Sequence, residues 1–391
     1  MPMQPALAKG AHLQARRIAR CAAALALWMA AVGPAVAQAP AVIRVGPGGQ
    51  VATIAEAAAL AGDGDTVEVQ AGDYVGDVAV WEQRRLTIRA VGGRARLLAD
   101  GKAAEGKGIW VFRNGEFVVE GFDFVGTRVE AGNGAGIRFE RGRLTVRDAK
   151  FIDNQMGLLT NNDASSELVV ERCEFAGPKD GTHWYHNLYV GQIDKVTVTG
   201  SWSHHARGGH LLKSRARESH ILYNRLTDEG GTASYELELP NGGNARVVGN
   251  LIEQGGTTQN RTIVSFGAEG YRWPVNELSM AHNTVVNRAH GSATMVRAAP
   301  GAASTVIRNN LWVGGGALDL PVATKEDGNL AVTIHAFRDA PRYDYRPAAS
   351  GPLRPEAARL PAALTPGFQY VHERRVARLA RGPLFVGAFQ R

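Results

Sequence analysis

Cysteine is nearly absent, with two residues in a chain of 391. Cys21 falls in an N-terminal leader, so Cys173 stands alone and a disulfide framework is excluded. Packing and hydrogen bonds must then hold the fold. Long apolar runs are missing as well. The one apolar stretch, CAAALALWMAAV, follows Lys9, Arg16, Arg17 and Arg20 and precedes the A-x-A site Ala35-Val36-Ala37. It is short for a membrane span and reads as the core of a signal peptide over residues 1–37. No Cys sits directly after the cleavage site, so we expect a periplasmic or secreted chain without membrane insertion. A strong charge imbalance is also lacking. The leader carries four basic and no acidic residues, so its removal lowers the net charge from +7 to +3 and argues against a nucleic-acid partner. What is abundant is glycine, with 47 residues, which suits many strands joined by tight turns.

Short strand-like runs recur, each ending on an apolar residue before a polar turn. GFDF ends at Phe124, DAKF at Phe151, RCEF at Phe175, TGSW at Trp202, YNRL at Leu226, GNLI at Ile252, HNTV at Val285 and NNLW at Trp312. The spacings are 27, 24, 27, 24, 26, 33 and 27 residues. A period near ~25 without helical 3.6-residue patterning predicts an all-β parallel solenoid. The 33-residue interval marks an inserted loop around Gly267–Asn276. Two positions before the landmarks stand Asn224, Asn250, Asn283 and Asn310, preceded by Gly200 and Cys173. Such a column predicts a ladder of amide hydrogen bonds inside a turn.

Thr53-Ile54-Ala55-Glu56 is a capping box opening the helix IAEAAALA, which should cover the first coil. Past about Val332 the repeat gives way to Pro- and Arg-rich sequence. The organisation expected is a β-helix with its N-terminal cap over 38–332 and a wrap-around segment of the same domain over 333–391. A capped solenoid is expected to be a monomer.

The opening VATIAEAAALAGDGDTVEVQAGDY, the Asn-laddered coils and the closing VGAF resemble right-handed parallel β-helix proteins of the pectate-lyase-like superfamily. The resemblance covers nearly the whole mature chain. It implies the fold, while that superfamily spans lyases, epimerases, hydrolases, esterases and non-enzymes.

Counting from the landmarks puts Ile137, Leu188 and Leu212 in an inward column, so Arg138, Tyr189 and Lys213 point outward in adjacent or near-adjacent coils. The next coils add Glu236 and Glu238 around inward Leu237, then Ser265. Six of the 11 histidines, among them His183, His186, His204, His205 and His210, lie between 183 and 220 beside Trp184, Tyr185, Arg207, Arg215 and Arg217. Aromatic platforms and cations suit an acidic polysaccharide.

The string HLLKSRARESHILYNRLTDEGG resembles the Lys-Ser coil of the chondroitinase B and alginate lyase family, which implies Lys213 as the base removing a uronate C5 proton. The Arg-His-Gly coil that follows in that family is replaced here by SYELELPNGG. Elimination needs a neutralised carboxylate, a base and a donor to the leaving oxygen. The expected catalytic residues are Lys213 as base, Tyr189 or His186 as donor, and Glu238 beside them. Arg138, His210, Arg215, Arg217, Glu236 and Trp184 are expected to bind substrate. Glu236 and Glu238 are candidate oxygen ligands for Ca2+, and the cofactor expected is none or Ca2+. His204, His205 and His210 show no zinc-binding spacing. A uronate C5 epimerase, a glycoside hydrolase and a non-catalytic polysaccharide-binding solenoid are the alternatives.

Overall fold

The computed structural model describes residues 39–179 and 184–390. The expected signal peptide, residues 1–37, and His183 therefore lie outside the described residues. Strands stack in parallel into one 29-stranded sheet that winds around the molecule. Three columns of strands form its faces. The first runs from Val42–Val45 through Ile193–Thr199 to Lys325–Asp327. The second includes Glu174–Ala176, Trp202–His204 and Arg225–Thr227. The third includes Leu188–Val190, His210–Ser214, Tyr235–Leu239, Thr262–Phe266 and Thr294–Ala298. The fold is the all-β parallel β-helix that the repeat implied.

The core follows from alternation within each rung. Phe124, Phe151 and Phe175 stack with centroids 5.1 and 4.8 Å apart and nearly parallel planes. The next rung departs from the expected landmark, because Ser203 pairs with Phe175 whereas Trp202 pairs with Glu174 and Arg225. One extra residue in this coil turns Trp202 outward, where its ring stacks on His204 at 3.9 Å.

The same shift corrects the start of the Asn ladder. Ser201 takes the place expected of Gly200: its hydroxyl accepts from the Cys173 N–H at 3.1 Å, and its own N–H donates to Asn224 Oδ1 at 2.9 Å. Thereafter each Asn amide accepts from the N–H and Nδ2 of the preceding one, from Asn224 through Asn250, Asn283 and Asn310 to Asn329. Along this column the N–H that enters each turn is thus satisfied from the next coil.

At the N-terminal end the helix Ile54–Leu60 carries the expected capping box, and Ile54 and Ala57 are buried. The Asp77 carboxylate accepts from the Ile54 and Ala55 N–H groups, and Gln83 Nε2 donates to the Ala58 and Ala61 carbonyls. Both helix ends are thereby satisfied. After Val332 the chain packs along the second face. Phe337, Tyr345, Leu353, Tyr370, Phe385 and Phe389 cover Leu251, Val286, Leu311 and Val313 in a second apolar cluster.

Candidate active site on the third face

The third face presents one outward column whose order comes from strand register. Arg138 pairs with Leu159, Leu159 with Tyr189, Tyr189 with Lys213, Lys213 with Glu238, and Glu238 with Ser265. Tyr189, Lys213 and Glu238 are therefore consecutive, as the sequence indicated. Arg138 belongs to the column but is parted from Tyr189 by the Leu159 rung. At about 4.8 Å per rung it sits roughly 14 Å from Lys213, and its guanidinium is engaged by Asn161.

Lys213 Nζ lies 2.7 Å from Glu238 Oε2 and 3.2 Å from Glu269 Oε1. Arg215 grips the same Glu269 carboxylate with two nitrogens, at 2.6 and 2.9 Å. Arg215 Nε donates to the Tyr189 hydroxyl oxygen at 3.1 Å, and its Nη1 donates to Asn241 Oδ1 at 2.7 Å. Glu269 comes from the inserted loop, where the Trp273 indole N–H donates to the Arg215 carbonyl at 3.0 Å. Gly267 opens that loop at φ +79°, and a Cβ there would stand 2.5 Å from the Tyr271 ring. Only glycine fits this entry without displacing Tyr271.

Two histidines back the column. His186 Nδ1 accepts from the His210 N–H at 3.0 Å, and the two rings stack at 4.5 Å. His186 also meets Tyr189 edge-on at 5.1 Å. Burial, helped by the Lys213 and Arg215 charges, lowers the His186 pKa to about 3. Burial and the neighbouring His186 push His210 down as well. Both rings are thus neutral, and the 3.3 Å approach of His210 Nδ1 to Glu238 Oε2 is a contact of a neutral imidazole. Glu238 is pushed up by burial against the opposing pull of Lys213. Glu269 is held below the usual range by the Arg215 hydrogen bonds.

Three expected residues do not join this group. Glu236 should share the outer face with Glu238 by simple alternation. Instead it lies in the column filled by Leu211, Ile263 and Met295 in neighbouring coils, and it is 0 % exposed. The chain bends as it enters this strand, so the position before Leu237 also faces the interior. Neither Glu236 oxygen has a hydrogen-bond partner. Burial, then the nearby Asp228, raises its pKa well above the usual range. Glu236 and Glu238 accordingly do not come together as a pair of Ca2+ ligands. Arg217 is paired with Asp194 at 2.6 Å and Glu218 at 3.1 Å instead of facing Lys213. Trp184 is 66 % exposed and borders a depression with Glu130, Gln155 and Tyr185.

Glu269, Asn241 and Tyr235, whose ring meets His210 at 5.1 Å, escaped the sequence reading as site residues. The only signal for Glu269 was the 33-residue interval that contains it.

No protein-family model and no curated protein matches this chain. Among solved structures, the crystal structure of pectate lyase Pel9A superposes with a TM-score of 0.61. The fold is pectate-lyase-like. The match covers 90% of this chain and 96% of that one at 13% identity. At that identity the likeness establishes the β-helix, and the chemistry has to be argued from the residues.

Proposed function

We propose that this β-helix is an exported polysaccharide lyase, periplasmic or secreted, that cleaves an acidic, uronate-containing polymer by β-elimination. The observation that carries the reading is the Glu269 carboxylate, which Arg215 and Lys213 already hold on the outer face next to Tyr189. A site that binds a side-chain carboxylate in bidentate fashion is built to receive a uronate carboxylate in the same place.

In this scheme the substrate carboxylate displaces the side chain of Glu269, which is 43% exposed. Arg215 neutralises the substrate charge and makes the C5 proton more acidic. Glu238 Oε2, 2.7 Å from Lys213 Nζ, takes a proton from the ammonium and frees the amine. The freed amine then removes the C5 proton. The electron pair left on C5 forms the C4–C5 double bond as the C4–O bond breaks, and the Tyr189 hydroxyl protonates the departing oxygen. Arg215 Nε donates to the Tyr189 oxygen, so that hydroxyl keeps its own hydrogen for donation. His186, braced at Nδ1 by the His210 N–H, carries its proton on Nε2 and fixes the Tyr189 ring edge-on.

The test is incubation of the purified chain with polygalacturonate, alginate and glycosaminoglycan chains. Ultraviolet absorbance from unsaturated uronate ends, abolished in Lys213→Ala, is expected with one of them. Reducing ends without that absorbance would make the chain a hydrolase. Solvent-proton exchange at C5 without cleavage would make it an epimerase. Binding with none of these would remove the enzyme reading.

A further inference from the structure

We infer that His204, His205 and Glu229 form a binding site for a transition-metal ion of the Zn2+ class, on the rim between the second and third faces. One ring nitrogen of His204, one of His205 and a Glu229 carboxylate oxygen all lie within 4.8 Å of one another, with His205 Nδ1 2.6 Å from His204 Nδ1 and 3.8 Å from Glu229 Oε2. The two histidines come from one coil and the glutamate from the next, so no spacing motif in the sequence announces the set.

Backbone geometry makes the convergence. His205 directly follows the strand that ends at His204, Glu229 stands two residues past the strand that ends at Thr227, and both have positive φ, +52° and +57°. The His205 N–H donates to the Asp228 carbonyl at 3.2 Å, which ties the two turns together. The left-handed turn at His205 swings its ring back towards that of His204, and the two Nδ1 atoms stand 2.6 Å apart. A left-handed residue also closes the corresponding corner at Gly126 and Asp153, so the conformation belongs to the solenoid's turn, and at His205 it carries an imidazole.

Each ligand is also held from behind. Trp202 stacks on the His204 ring, whose Nε2 faces Glu174 Oε1 at 3.6 Å. A carboxylate behind an imidazole favours the tautomer with hydrogen on Nε2, leaving the Nδ1 lone pair for a metal. Glu174 is itself anchored by Lys150 at 2.8 Å. Glu229 Oε1 is occupied by Arg225 at 2.7 Å and Thr227 Oγ1 at 3.2 Å, and Oε2 faces His205 Nδ1 at 3.8 Å. Arg225 is fixed in turn between the Trp202 and Tyr343 rings, at 5.1 and 4.3 Å from their centroids.

Two imidazole nitrogens and one carboxylate oxygen suit Zn2+ and its neighbours in the first transition row, and suit Ca2+ or Mg2+ poorly. In the metal-free state one ring donates its Nδ1–H to the other. Metal binding moves that hydrogen from Nδ1 to Nε2 of His205, and the nitrogens open to about 3.3 Å, the separation set by tetrahedral bonds of about 2.0–2.1 Å. The His205 side chain is 42% exposed, so the fourth position opens to solvent. An ion here would bridge consecutive coils and keep one exchangeable ligand.

The experiment uses the tag-free full-length chain, stripped with chelator and titrated with Zn2+ by calorimetry, with bound metal counted by mass spectrometry. One equivalent per chain and a zinc-dependent rise in Tm are expected. His205→Ala and Glu229→Gln should each weaken binding at least tenfold and remove the Tm rise. Glu174→Gln, which acts through His204, should weaken it about tenfold. His205 and Glu229 lie at the rim, so these variants decide the matter even where a His204 variant fails to fold. Absence of stoichiometric Zn2+, unchanged affinity in His205→Ala and Glu229→Gln, or equal competition by Ca2+ would each overturn the inference.

Discussion

Replacing Lys213 by Met separates two consequences of one side chain. The Lys213 and Glu238 side chains are 10% and 5% exposed and 2.7 Å apart, so theirs is a buried ion pair. Removing one partner of such a pair leaves an uncompensated buried charge, which costs about 3–5 kcal/mol. The second contact, to Glu269, is with a side chain 43% exposed and contributes only about 0–1 kcal/mol. Lys213→Met should therefore lower the unfolding free energy by about 3–5 kcal/mol at neutral pH.

The cost should depend on pH in a definite sense. Without the lysine the Glu238 carboxyl binds its proton more tightly in the folded state than in the unfolded chain. A group with a raised folded pKa loses its stability contribution as pH rises above the unfolded value, about 4.3 for Glu. The variant should therefore approach the parent near that pH and fall away above it. Adding Glu238→Gln removes the stranded charge, and the double variant should recover most of the loss while remaining inactive as a lyase. Urea unfolding followed by circular dichroism at several pH values measures both effects. Stability of Lys213→Met within about 0.5 kcal/mol of the parent at pH 8, or no recovery in the double variant, would refute the buried pair.

Glu236→Leu should stabilise the protein by about 1–3 kcal/mol, because a buried carboxyl with no hydrogen-bond partner gives way to the apolar residue its column otherwise holds. Its folded pKa is raised, so the gain should widen with pH above about 4.3, by up to about 1.4 kcal/mol per pH unit. A gain independent of pH in thermal melts at pH 4 and 8 would contradict this. Asn250→Ala should cost about 2–4 kcal/mol. The change strands the Asn224 N–H and the Ile221 carbonyl, and a loss below about 0.5 kcal/mol in urea melts would remove the ladder from the stability argument.

The solenoid, its capping helix and most of the Asn ladder were legible because each is a local pattern. Strand alternation, turn chemistry and a capping box need no knowledge of distant contacts. Parallel stacking then carries a residue's offset from coil to coil, which is why Tyr189, Lys213 and Glu238 fall on consecutive rungs as counted. The count failed where a coil changed length or direction. One extra residue turned Trp202 outward, and a bend at the strand entry took Glu236 into the core.

What only the tertiary structure decided is what the loops and turns bring to the columns. Glu269 reaches Arg215 and Lys213 from an inserted loop, and Glu229 reaches His205 from the next coil. Periodicity specifies which face a strand residue shares, because backbone geometry repeats every two residues. A loop has no such repeat, and its path is set by its contacts with the coils it crosses: Arg215 binds Glu269, Asn241 donates to the Gly270 carbonyl, and the Tyr271 hydroxyl donates to the Ala299 carbonyl.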